Sequence, residues 1–129
     1  MNGYLLTAAV LLSIVGLVHS VLGEILIFRR MRDAGIIPAN GGDILHESNV
    51  RILWASWHLI SILGWGVAAI LVFVSLAPLM QGEHYRIAVT IAIVTFVSAI
   101  LVCVATKGKH PGWIGLLGVA VLTALGCYT

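Results

Sequence analysis

Four apolar runs divide this chain, and the polar positions within and between them are few enough to name. The runs cover residues 4–28, 46–78, 86–106 and 112–128; the first stops at Arg29, Arg30 and Arg32, and the second is strongly apolar from Ile52 to Pro78. Each approaches the roughly 20 residues that a helix needs to cross about 30 Å of hydrocarbon, the fourth being the shortest. Between the first two runs, Gly35, Pro38, Gly41 and Gly42 predict a turning loop from Met31 to Asp43. Gln81-Gly82-Glu83 predicts a tight connection, and Pro111 suits the first turn of the last helix. Backbone polar groups in lipid must be satisfied within the segment, which makes the runs helices. The pattern predicts an all-α fold: an integral membrane four-helix bundle forming a single transmembrane domain over residues 1–129.

The polar positions inside the runs carry the functional signal, because ionisable groups are expensive in a membrane. Helix 1 holds His19, Ser20 and Glu24, with Gly16, Ser20 and Gly23 forming a small-residue strip flanked by His19 and Glu24. Such a strip admits a close neighbouring helix or leaves room for a ligand. Helix 2 spaces Glu47, Arg51, Trp54, His58, Ser61 and Trp65 by four, three, four, three and four. At helical pitch they share a sector of about 80°, a stripe expected to face the bundle interior. A purely structural account pairs Glu47 with Arg51 at i,i+4 and uses the tryptophans as anchors or filler. It explains the ends of the stripe better than it explains His58. Helix 3 adds Thr90, Thr95 and Ser98, which can bond their own backbone. Helix 4 opens with His110-Pro111-Gly112-Trp113, and Gly115 and Gly118 allow close packing.

Composition fixes the solvent. Only 9% of the 129 residues are charged and 60% are hydrophobic, against about 25% charged in soluble domains. The formal net charge of +2 is too small and dispersed for a nucleic-acid partner. The basic residues report topology instead. Arg29, Arg30, Arg32, Arg51, Lys107 and Lys109 lie in or beside the first and third connections, and Arg86 beside the second. The positive-inside rule then puts both termini on the non-cytoplasmic side. The first run lacks a basic leader and is too long for a signal-peptide core, so it is expected to persist as a helix. Cys103 and Cys127 have no metal or redox spacing, fall at opposite membrane levels, and are expected to stay unpaired.

Three functions fit this layout. In the first, His19, Glu24 and His58 bind a transition metal ion, or the two histidines ligate haem b; Arg51 orients an anionic group, Trp54 walls the cavity and His110 joins from helix 4. No familiar ligand spacing is present to identify the metal. In the second, Glu24 exchanges protons and a cationic substrate in a small proton-coupled transporter. Size, helix number and the early Glu24 are similar to the small multidrug exporters; the one-sided Lys/Arg bias and the absence of their helix 2 motif depart from them. In the third, the chain is an accessory or assembly subunit whose polar residues hold helices together. A homo-oligomer or a membrane complex partner is expected for a bundle this small. The strings Val18-His19-Ser20-Val21-Leu22-Gly23-Glu24 and Arg51-Ile52-Leu53-Trp54-Ala55-Ser56-Trp57-His58-Leu59 resemble those of small bacterial four-helix membrane proteins to which no activity attaches. The resemblance covers helices 1 and 2 and implies a bacterial inner-membrane setting.

Overall fold

Gly82, at φ +58°, breaks the chain ahead of a helix that starts at Glu83, three residues before the hydropathy pattern begins it. An acidic residue in a first helical turn offsets the unpaired N–H groups there, so the polar Glu83-His84-Tyr85 stretch joins the helix. The computed structural model describes residues 1–33, 35–77 and 82–129. These form four α-helices, α1 (Gly3–Leu26), α2 (Glu47–Ser75), α3 (Glu83–Ala105) and α4 (Gly112–Gly126), with a 3-10 turn at Phe28–Met31. The fold is all-α, and α1, α2 and α3 are long and apolar enough to cross a membrane. With 15 residues, α4 is shorter; it reaches about 22 Å at helical rise. Pro78, expected to end the second helix, and Gln81 of the second connection lie outside the described residues.

Two compact units emerge, Met1–Val15 with Gly64–Thr129, and Gly16–Leu63, so α1 and α2 contribute to both. In the first unit, Leu5, Ala8, Ala9 and Leu12 of α1 pack with Ala68, Leu71 and Val74 of α2, Ala88 and Ile91 of α3, and Val119 of α4. The alanines let backbones approach closely. Glycines do the same between α1 and α4: a Cβ on Gly115 would come within 2.7 Å of Val15, and one on Gly118 within 3.0 Å of Leu11. Asn2 ties three helix ends. Its Oδ1 accepts from the Leu5 N–H at 3.2 Å, its backbone N–H donates to Ser75 O at 2.7 Å, and its Nδ2 donates to Gly126 O at 2.7 Å. Along α3, Ile93, Val94, Val97, Leu101 and Val104 are each more than half exposed. Cys103 and Cys127 are free thiols.

The second unit holds the later part of α1, the 3-10 turn, the first loop and the early part of α2. Sequence hydropathy runs α1 through Phe28, whereas the helix ends at Leu26 and tightens into the 3-10 turn. Arg32 follows in extended conformation at φ −101° and ψ 128°. The backbone then doubles back: the N–H groups of Ala39 and Asn40 both donate to Met31 O, at 3.0 and 2.9 Å. Asn40 fixes the bend, donating to Asp33 Oδ1 at 2.7 Å and accepting from the Gly42 N–H at 2.9 Å. Phe28, Pro38 and Val50 are buried beneath this loop-bearing unit.

Candidate functional site

The site begins with a place where a side chain is missing. A Cβ on Gly23 of α1 would collide with the indole of Trp57 on α2, so the glycine is a seat for the ring. Ser20, one turn earlier, and the buried Gly16 keep the same strip of α1 small. Trp57 is fixed in three ways. Its Nε1 donates to the backbone O of His19 at 3.0 Å. Its ring stacks on the His19 imidazole, centroids 4.3 Å apart and 7° from parallel. Phe28, carried by the 3-10 turn, meets it edge-on at 5.8 Å. Aromatic contacts of this kind add about 0.5–1.5 kcal/mol each beyond area burial.

Beside this apolar brace runs a polar chain. Glu24, one residue beyond the Gly23 seat, forms an ion pair with Arg32 through Oε1. Its Oε2 accepts from Trp54 Nε1 at 3.2 Å and lies 3.5 Å from His58 Nε2. The other imidazole nitrogen, His58 Nδ1, is 3.0 Å from Ser20 Oγ, and Ser20 donates to Ser61 Oγ at 2.8 Å. Ser61 is buried, while Arg32, Glu24 and His58 keep between 24% and 30% of their side-chain surface exposed. The chain therefore runs from a wet end to a dry one. At the wet end an open recess of about 560 Å³ is lined by Glu24, Arg32, Gly35, Ile36, Trp54 and His58.

Proton bookkeeping follows from the donors. With Ser20 donating to Ser61, Ser20 Oγ accepts from His58 Nδ1–H, and Nε2 approaches the Glu24 carboxylate productively only when a proton sits between them. The reverse order, with Nε2–H toward Glu24, needs both hydroxyls to rotate. Serine hydroxyls rotate freely, so whether His58 Nδ1 donates or accepts sets the direction in which Ser20 and Ser61 bond.

Of the six side chains expected to build a site, the fold brings together Glu24, His58 and Trp54 at the recess. His19 is on the same pair of helices, with its ring laid flat against Trp57. Arg51 does not line the recess: it pairs with Glu47 at 2.5 Å, and both are more than half exposed. That is the i,i+4 surface pair of the structural account. His110 belongs to the other unit, where its Nδ1 accepts from the Gly112 N–H at 3.0 Å and caps the start of α4. Trp65 of the stripe also belongs there and donates to Ser13 O at 3.1 Å. Among the described residues, no group of three or more His, Cys, Asp or Glu side chains is placed to hold a metal ion.

Two contributors escape sequence reasoning. Arg32 reads as a topology signal, since it lies eight residues after Glu24, about 12 Å at helical rise were the helix to continue that far; the helix end at Leu26 returns it instead. Trp57 sits at the edge of the helix 2 stripe, and the signal for it is on the partner helix, in the small-residue strip ending at Gly23. No protein-family model, curated protein or solved structure matches this chain.

Proposed function

We propose that this chain is a multi-pass protein of the bacterial inner membrane, both termini on the non-cytoplasmic side, and that it works as a small proton-coupled transporter. Glu24 and His58 form its proton-exchanging pair, and the recess beside them takes the solute. One observation carries the reading: the series Arg32, Glu24, His58, Ser20, Ser61, which joins an open recess to a buried hydroxyl between two largely apolar helices. Helix packing alone is served by isolated hydroxyl or amide contacts. A carboxylate in the last turn of α1 and an imidazole within α2, each oriented through its second polar atom, are what proton exchange requires. The bilayer setting draws support from the exposed apolar face of α3 and the low charge content; the orientation rests on the Lys/Arg asymmetry.

Infrared difference spectra of the purified protein between acid and alkaline pH test the pair directly. On acidification a protonated-carboxyl component is expected that is missing from Glu24→Gln and shifted in His58→Gln, beside the bands of Asp33, Asp43, Glu47 and Glu83, which both variants keep. If wild-type protein shows no such component, the polar chain is a fixed adhesive between helices, and the accessory-subunit reading takes its place.

A transition metal or haem is the second reading, and one distance favours the metal. Glu24 Oε2 and His58 Nε2 are 3.5 Å apart, close to the spacing of two donors sharing a tetrahedral ion at about 2.1 Å. His58 Nδ1 is also held from behind by Ser20, as ligating histidines commonly are. The remaining ligands would come from outside this pair. Elemental analysis and an absorption spectrum of gently purified protein decide it: iron, copper or zinc near one equivalent and lost in His58→Ala supports the metal, and a metal-free protein removes it.

A further inference from the structure

The polar chain ends in a charge pair whose halves are held very differently. The carboxylate is the fixed half. Glu24 stands on α1, and two side chains of α2, Trp54 and His58, converge on its Oε2. The guanidinium is the half that comes from a loop. Arg32 reaches Glu24 from the loop after the 3-10 turn, on a long side chain whose Nε is tethered to Ile36 O at 2.6 Å. Partly exposed ion pairs of this kind are weak and open readily. Around the carboxylate the recess is apolar and aromatic, with the Trp54 indole and Ile36 on its wall.

We propose that the recess binds a small organic cation with a planar N–H donor head and an apolar body, and that this cation replaces the Arg32 guanidinium on Glu24. The proposal rests on the proton-exchange reading in using the same carboxylate. Arg32 then acts as a stand-in for the ligand, neutralising Glu24 while the site is empty and swinging into water when a cation arrives. An amidinium or guanidinium head offers the forked donors that a carboxylate accepts in pairs. The indole face and Ile36 suit an aromatic or aliphatic body. An anion would have to displace a carboxylate that stands on a helix, whereas a cation has only to displace a side chain from the loop. Arg32 from the loop and His58 from α2 both face Glu24. A bound cation, like Arg32, pairs with Glu24 as the carboxylate, so cation binding and protonation of Glu24 exclude one another.

Calorimetric titration of the full-length protein in detergent micelles with benzamidine, its neutral isostere benzamide, and benzoate tests this. Benzamidine is expected to bind and benzamide not. Arg32→Ala should tighten benzamidine binding at least tenfold, because the internal competitor is gone, and Glu24→Gln should abolish it. Should Arg32→Ala fail to fold, Arg32→Lys, which keeps the charge but loses the fork, is expected to tighten binding several-fold. Benzoate bound in preference to benzamidine, or no gain in affinity in a folded Arg32 variant, overturns the proposal. The infrared measurement separates it from its parent reading: a titrating Glu24 band without benzamidine binding overturns the cation site alone. Binding with a silent band supports the cation site and overturns proton exchange.

Discussion

Gly23 is a glycine because the space its side chain would fill belongs to Trp57. Gly23→Ala therefore forces the indole off its seat, at a cost of about 1–3 kcal/mol for overpacking a fitted site. The effect should be strongly non-additive. In a Trp57→Ala background the same alanine meets open space, so the double mutant should be no less stable than Trp57→Ala by itself. A double-mutant cycle by denaturant unfolding in detergent measures this coupling, and additive losses would show that the two residues do not share the seat. This residue pair also marks what a single sequence can convey. The small strip of α1 and the stripe of α2 are both readable as helical faces, and Glu24, His58 and Trp54 follow from them. Which side chain fills which gap is not readable, because it depends on helix phase and separation to within an ångström or so. Trp57, on the flank of its stripe, is therefore recovered only when its seat is seen.

At the scale of the element, helix ends decide more than helix interiors. The start of α1 is held by Asn2, whose side chain accepts from Leu5 and donates to Gly126 at the end of α4. Asn2→Ala is expected to cost about 0.5–2 kcal/mol, the usual range for a lost N-cap, and to speed amide exchange at both the first turn of α1 and the last turn of α4. Faster exchange at α1 only would mean that the bond to Gly126 contributes nothing. At its other end, α1 stops at Leu26 instead of Phe28. Hydropathy places the boundary only approximately, since Ile27 and Phe28 are as apolar as the helix itself. The difference has consequences beyond the helix itself. The early stop tightens the chain, sends Phe28 under Trp57 and returns Arg32 to Glu24. The third run errs in the other direction, because Glu83, His84 and Tyr85 carry no apolar signal yet are favourable in a first turn.

For the molecule as a whole, helix number and class are legible because apolar length is a property of the sequence itself, while the division into two units is not. The same apolar residues serve a core and an outer surface equally well. The proposed orientation makes a testable claim: an alkaline phosphatase fused after Thr129 is expected to be active and a green fluorescent protein at the same point dark, and the opposite pattern would reverse the topology. The close pairing of rings in the second unit has one more consequence. His19 lies flat on Trp57, and Trp54 stands edge-on to His58 with centroids 5.1 Å apart. Two of the four tryptophans thus touch an imidazole, and a protonated imidazole quenches indole emission on contact. Indole emission is therefore expected to report any rearrangement of these two ring pairs without a dye or label.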